Sequence, residues 1–459
     1  MKTQIAAICV AACPALAIAQ TVAQADDQSQ LQAPMNTAQT MPQTTPLTTP
    51  GLSPMPPSPP AYDALGVKGW DTPFPPASDT IFADMGGVRS ALADHGIGIV
   101  GYSVNAGVYN FRNDKTPGAS YNGKYPTYFT GSQGIFITYD ASKIGLPGGQ
   151  IQVLLQAFTN SRPDLNPPRS QGIGTLAYFQ AFDNDQFEMK VGWLQLSNEF
   201  MGANIAGSFT SGTLGPQSAL PVAAGFSFPG LTTPGFTFRY NGPNGFYDKV
   251  AVARSIPNQS YAESIDNNAF GLRLSYPNSG AVILDEVGVN QPSAPGRKSF
   301  WFRAGGIYNT TRYTNFETAN QQTNYGLYAL VDYQFWQPDA GSPGRGLYAG
   351  ASINFTPPNR NLYTRYYEAR LYGIGLFPGR PADLLSFVVS YNGLSRAGLA
   401  MAFTGQPTDH YSQSTSLAYS FRVARGVFIQ PAIALVKNIT ITPHVPLAVN
   451  GYISVALMF

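Results

Sequence analysis

The chain has 459 residues, of which 11% are charged, 44% hydrophobic and 13% aromatic, and its formal net charge is +2. Globular proteins carry roughly 25% charged residues, and so small a net charge gives no broad electrostatic footprint for nucleic acid. With 26 Tyr, 28 Phe, 47 Gly and 38 Pro, the chain is polar through hydroxyls and amides rather than charge, which suits neither a bundle of membrane helices nor a charged soluble enzyme.

Residues 1–19 read as a secretory signal. Lys2 precedes the apolar stretch IAAICVAACPALAIA, and Ala17 and Ala19 are small residues placed for cleavage before Gln20. The stretch is shorter than the ~20 residues of a spanning helix, which disfavours an uncleaved anchor. Cys9 and Cys13 would leave with it, so the exported chain would rely on backbone pairing and burial rather than disulfides.

Residues 20–77 read as a disordered periplasmic linker rich in Pro, Thr and Gln. Between 20 and 60 stand nine Pro and no aromatic residue, with Asp26 and Asp27 as the only charges. Such a segment cannot bury enough apolar surface to offset its ordering entropy. An inert spacer is favoured over a segment that binds peptidoglycan or a partner.

Residues 78–96 predict one short helix. Ser78 or Asp79 can cap it, Ile81, Met85, Val88 and Leu92 recur at helical spacing, and Gly96 can end it in a left-handed turn. The stripe reads as packing surface, with a plug beneath a pore as the lesser alternative.

From Ile97 to Phe459 the chain alternates apolar with polar or small residues in segments of about ten, separated by Gly, Pro, Asn and Asp. The candidate strands number seventeen: 97–109, 132–140, 149–159, 174–183, 186–196, 234–240, 247–254, 269–276, 280–290, 299–309, 324–335, 346–356, 367–377, 384–394, 413–423, 426–437 and 448–459. A closed antiparallel barrel with both ends on one side needs an even number. One candidate is therefore superfluous, and the short segment 234–240 is the suspect.

Alternation alone does not separate a membrane barrel from a soluble sandwich. Three features favour an all-β transmembrane antiparallel barrel of about 16 strands, with 16–18 as the range. Aromatics such as Tyr325 and Phe335, or Tyr367 and Phe377, stand at the ends of apolar faces, as interfacial girdles require. Long hydrophilic connections such as 197–233 alternate with short turns such as Arg425 and Gly426. So many strands behind an export signal would be unusual in water, whereas lipid makes closure compulsory.

A barrel of this size holds an aqueous channel. Alternation turns Glu188, Lys190, Arg273, Glu286, Arg303, Asp332, Glu368, Arg370 and Arg422 inward, with Tyr328, Tyr348, Tyr372, Gln150, Gln152, Gln156 and Asn354. Arg or Lys facing lipid at the midplane would cost about 2 to 4 kcal/mol. Arginine forks donate to hydroxyls in fixed geometry and aromatic faces stack on pyranose rings, so such a lining suits neutral sugars. The alternative for each residue is pairing across the lumen that merely stiffens the wall. No catalytic, metal or cofactor pattern is present: His95, His410 and His444 stand in no nucleophile context, and neither a GxSxG nor a phosphate loop occurs. A barrel-borne lipase is thus disfavoured, and so is an energised receptor, which would have more strands and a folded plug domain for which residues 20–96 are too poor in core-forming pattern. A general or anion-preferring diffusion porin remains the serious competitor.

Seven stretches carry a family resemblance: GGVRSALADHGIGIVGYSVNAGVYNF, ASKIGLPGGQIQV, VGWLQLSNEFMGANIAGSFTS, AVILDEVGVNQ, LYGIGLFPGRPADLLSFVVSYNGLS, and GVFIQPAIALVKNI with the closing NGYISVALMF. Their order and spacing over roughly residues 80–459 resemble the carbohydrate-selective porins of Gram-negative outer membranes, the OprB type. The resemblance implies a barrel of about sixteen strands, passive uptake of glucose-like monosaccharides and small oligosaccharides, and a constriction rich in Arg with carboxylates and aromatics. By position it points to Arg380 and Asp383 in GRPAD, and to Asp285 and Glu286 in LDEVG. The acidic signature expected before the penultimate strands is replaced by TGQPTDHYSQSTSLAY, with Gln406 and Gln413 near the places of Glu. Expected partners are small neutral sugars, outer-membrane lipid and, through the terminal Phe459, the outer-membrane assembly machinery. Association into a homo-oligomer is compatible with the pattern but not specified by it.

Overall fold

The computed structural model describes residues 59–71, 74–112, 127–161, 170–202, 219–228, 230–256, 264–265, 267–268, 270–403, 405, 407–438 and 447–459. The expected signal and residues 20–58 of the expected linker lie outside them. Sixteen strands close into one antiparallel barrel in which each pairs with its sequence neighbours and the first joins the last. They are β1 (Ile97–Asn110), β2 (Thr127–Asp140), β3 (Gly149–Asn160), β4 (Ser170–Phe182), β5 (Phe187–Leu194), β6 (Thr233–Asn241), β7 (Phe246–Arg254) and β8 (Ala281–Gln291). The second half comprises β9 (Phe300–Thr314), β10 (Gln321–Trp336), β11 (Gly346–Phe355), β12 (Tyr363–Ile374), β13 (Leu384–Leu394), β14 (Tyr411–Ala424), β15 (Val427–Lys437) and β16 (Leu447–Met458). The even number returns β16 to the end at which β1 begins, here termed the terminal end.

The superfluous strand is not the suspect. Segment 234–240 lies within β6, paired with β5 and β7. The candidate 269–276 is instead part of the connection between β7 and β8. Its alternation has no strand to pair with: Gly271 takes φ 78, and Phe270 and Leu274 are about 70% exposed, at 71% and 70%.

Polarity across the wall is inverted relative to a soluble protein. On β10, Tyr328, Leu330, Asp332 and Gln334 are buried, while Tyr325, Leu327, Tyr333 and Phe335 are exposed. Leu327 and Ile453 are 56% and 54% exposed, whereas Glu286 and Arg303 are 0% exposed. Apolar side chains outward and ionised ones inward are stable when the outside is hydrocarbon, and closure leaves no unpaired strand edge there. Exposed aromatics mark both ends of β10, at Tyr325 and Phe335. Among the described residues no helix is long and apolar enough to cross a membrane.

The N-terminal segment departs from both expectations placed on it. The predicted helix 78–96 is broken: Ala77–Asp79 and Met85–Gly87 are single 3-10 turns, and only α1 (Val88–Asp94) is α-helical. Gly86 and Gly87, at φ 69 and 97, interrupt the helical path. Ile81, Met85 and Val88 are consequently exposed rather than packed. The buried residue of α1 is Arg89, which donates to the carbonyl of Ile99 and to Thr80 Oγ1 at 3.0 and 2.7 Å.

Residues 59–71 and 74–77, which sequence placed in the linker, lie against the inner wall. The Leu65 carbonyl accepts from Thr138 Oγ1 (2.5 Å) and that of Gly66 from Gln150 Nε2 (2.9 Å). The Lys68 amide donates to Gln150 Oε1 (3.1 Å), and its carbonyl accepts from Gln152 Nε2 (2.9 Å). Trp70 and Phe74 each meet Phe136 with ring centroids 5.0 Å apart. These rings give the segment the apolar surface that residues 20–60 lack.

Candidate functional site: a charge-paired lumen

The inner wall from β5 to β12 carries a continuous ladder of ions. Lys190 on β5 pairs with Glu199 at 2.7 Å. Glu199 lies on residues 195–202, which fold inward after β5 through the 3-10 turn Leu196–Asn198. Its carbonyl accepts from Lys249 Nζ on β7 at 2.5 Å. Lys249 also meets Asp71 at 2.5 Å and Glu286 on β8 at 3.0 Å. Arg239 on β6 stands 3.8 Å from Asp71 and 4.5 Å over the Tyr247 ring.

Glu286 takes further donors from Tyr247 (3.1 Å), Tyr328 (2.9 Å) and the amide of Met201 (2.9 Å). Tyr328 reaches it from β10 across Gly305 on β9, where a Cβ would stand 2.5 Å from the tyrosine ring and hydroxyl. Trp301 continues the chain, donating from Nε1 to the Tyr247 hydroxyl (3.1 Å) beneath the Arg303 guanidinium, 3.9 Å from the ring centroid.

Arg303 meets Asp332 at 2.8 Å, and Arg370 meets the same Asp332 oxygen at 3.2 Å. Arg370 also binds Glu368 at 2.5 Å and Ser352 at 2.6 Å. The register sets Asp332 and Arg370 opposite the two sides of Gly350. A Cβ at Gly350 would lie 2.4 Å from Asp332 Oδ1 and 2.8 Å from Arg370 Nε, so the pair forms through that gap. Tyr372 donates to Asp332 at 3.3 Å and stacks on Tyr348, 4.9 Å apart and 10° from parallel. Tyr366 donates to Glu368.

Five cations (Lys190, Arg239, Lys249, Arg303 and Arg370) thus face five carboxylates (Asp71, Glu199, Glu286, Asp332 and Glu368). Burial raises the carboxyls of Asp71 and Glu199 above the usual range, with Lys249 and Lys190 respectively opposing the rise. Among the described residues, the Nε donors of Arg303 and Arg370 are buried without a hydrogen-bond acceptor. Within the ladder each ion is matched by an opposite one, and the arrangement presents fixed, mutually compensated charge rather than a site for a free ion.

Of the inward residues expected from sequence, Lys190, Glu286, Arg303, Asp332, Glu368, Arg370, Tyr328 and Tyr372 come together in this ladder. Glu188 is half-buried nearer the terminal end, accepting from Asn241 at 2.8 Å. Three arginines do not join it. Arg273 is exposed on the β7–β8 connection because the strand expected to carry it does not form. Arg380 sits in the turn after β12, paired with Asp383 at 2.7 Å on the terminal rim. Arg422, near the end of β14, pairs with Asp79 of the N-terminal segment. Asp285 faces outward, because alternation gives the lumen to its neighbour Glu286.

Lys249, Arg239, Tyr247, Trp301, Asp71 and Glu199 were not anticipated. Lys249 and Tyr247 share a face of FYDKVAVAR opposite Val250 and Val252, and Trp301 shares one with Arg303, so alternation carried a usable signal for these three. Arg239 lies on the strand held suspect. Asp71 and Glu199 belong to no strand, and no periodicity points to them.

A family model described as carbohydrate-selective porin, OprB family, matches residues 118–440. The fold is similar to the high-pH structure of Pseudomonas putida OprB, with a TM-score of 0.68 and 16% identity over 86% of this chain and 99% of that one. The low-pH structure of the same protein gives a TM-score of 0.53 and 15% identity over 83% and 99%. No curated protein matches the sequence.

Proposed function

The chain belongs to the carbohydrate-selective porin, OprB, family, and from that premise we propose that it passes glucose-like monosaccharides and small oligosaccharides down their gradient through the charge-paired lumen. The family and the barrel place it in the Gram-negative outer membrane as a channel rather than an enzyme. Export through the signal at residues 1–19 and delivery to the assembly machinery through Phe459 belong to the same reading.

The observation that carries the proposal is the pairing of every ion in the ladder. A general anion-preferring pore would leave cations uncompensated along its narrowing, to attract its solute. Here Arg303 and Arg370 are each paired with a carboxylate, and of their guanidinium nitrogens only Nε lacks an acceptor among the described residues. Both Nε donors and the Tyr348, Tyr372 and Trp301 rings are buried, so a passing sugar meets the balanced inner surface that they support, at groups such as Arg239, whose side chain is 23% exposed. Contacts of this kind replace part of the solute's hydration and are weak enough to release it.

Single-channel recording in planar bilayers tests the reading, with glucose, maltose, chloride and phosphate titrated in turn. Glucose and maltose should reduce the ion current in a saturable manner. If no sugar does so and anions permeate freely, the protein is a general diffusion porin instead.

A further inference from the structure

Nine of the ten ladder ions sit on strands or on the fold that follows β5; the tenth does not. Asp71 is carried by the N-terminal segment, which belongs to no strand. We propose that Asp71 is a specificity-determining residue of the passage, brought in by residues 65–71 to complete its charge balance and keep it indifferent to small ions. The proposal rests on the reading of the barrel as a solute channel.

The segment is held as a strap across the lumen. On one side its backbone is taken by Thr138, Gln150 and Gln152 of β2 and β3. On the other, the Asp71 amide donates to the Asn198 carbonyl at 3.2 Å, and the Gly202 amide donates to Asp71 Oδ2 at 3.2 Å. Gly202 is a close approach: a Cβ there would stand 2.6 Å from Asp71 Cβ. The strap and the inward fold of residues 195–202 therefore clasp each other over Lys249.

Asp71 is also the group whose loss unbalances the wall. Among the described residues it is the only carboxylate within ion-pair distance of Arg239, and it is the nearer of the two that meet Lys249. Without it, five cations face four carboxylates. A unit charge some 7 Å from a permeating ion acts on it by about RT even in water, which favours an anion and disfavours a cation by roughly threefold each.

The test is the reversal potential of the purified full-length channel in a potassium chloride gradient. Asp71→Asn should raise the chloride-to-potassium permeability ratio at least about threefold, whereas Asp71→Glu should keep the wild-type ratio. Asp71→Asn/Lys249→Gln, which removes one charge of each sign, should return toward it. An unchanged ratio in Asp71→Asn, or an equal shift in Asp71→Glu, would overturn the assignment. Should Asp71→Asn not fold, as read by heat-modifiable mobility, Lys249→Gln alone must favour potassium and the double variant must cancel that preference; failure to cancel overturns it too. A wild-type channel that no sugar blocks would remove the sugar reading and leave this test standing. Unchanged selectivity in a sugar-blocked channel would remove only the role of Asp71.

Discussion

Phe459 and Gly101 exchange backbone hydrogen bonds of 2.9 and 2.5 Å, so the last residue of the chain is the final rung of the seam that closes the barrel. Its ring lies where Gly101 has no side chain; a Cβ there would stand 2.4 Å from the ring. Phe82 meets the same ring from the N-terminal segment, 6.4 Å away edge to face. Replacing Gly101 by Leu should therefore open the seam. Heat-modifiable mobility should show little folded barrel, since an open edge in lipid leaves backbone groups unpaired at several kcal/mol each. Deleting Phe459 should lower recovery from the outer membrane far more than removing residues 20–58. Equal losses from the two deletions would mean that the terminal residue is no special determinant of assembly.

The gap at Gly350 makes a second expectation. Gly350→Ala places a methyl group where Asp332 Oδ1 and Arg370 Nε now stand, forcing the pair apart. Asp332→Asn removes the charge instead, leaving Arg303 buried against a neutral oxygen and Arg370 with Glu368 alone. Breaking a buried pair by removing one partner costs about 3 to 5 kcal/mol. Urea unfolding of the detergent-solubilised barrel should report a loss of that order for Asp332→Asn. Losses near zero in both variants would show that lumen water compensates the arginines.

Trp301 joins the two halves of the ladder. It donates to the Tyr247 hydroxyl and carries the Arg303 guanidinium on its face. Trp301→Phe keeps a ring beneath Arg303 but loses the donor; Trp301→Ala loses both. A cation over an aromatic face is worth about 0.5 to 2 kcal/mol. The sugar concentration for half-maximal block should thus rise more in Trp301→Ala than in Trp301→Phe, with folded mobility retained in both. An unaltered half-blocking concentration in Trp301→Ala would place the sugar contacts elsewhere on the wall.

How much of this arrangement was legible in the sequence depended on whether a residue sat on a strand. Period-two alternation placed Arg303, Asp332 and Arg370 inward because each lies between apolar outward neighbours, and Glu286 inward because it alternates with Ile283, Val287 and Val289 although Asp285 beside it is charged. The same logic misled at Arg273, where the pattern existed but no neighbouring strand was available to pair with it. It could not reach Asp71 or Glu199, whose positions follow from hydrogen bonds between segments far apart in the chain. Nor could alternation tell which cation meets which carboxylate. That choice is made by cross-strand register and by Gly305 and Gly350, over which longer side chains reach. The alternative for each inward residue is pairing across the lumen; the ladder pairs neighbours along the wall, and that pairing balances its own charges.

Acid should disturb that balance in one direction. Burial raises the Asp71 and Glu199 carboxyls above their ordinary values of 3.8 and 4.5, so each takes up a proton at a higher pH than a surface carboxyl would. Protonation removes a negative charge and leaves Lys249 or Lys190 less compensated. Lowering the pH from neutral should therefore move the reversal potential toward chloride before ordinary carboxylates titrate, and restoring neutral pH should reverse it. Asp71→Asn, already lacking one of the two protonation sites, should begin nearer the acid limit and move less. Selectivity that stays flat until ordinary carboxylates protonate would mean that the lysines outweigh burial and hold both groups ionised.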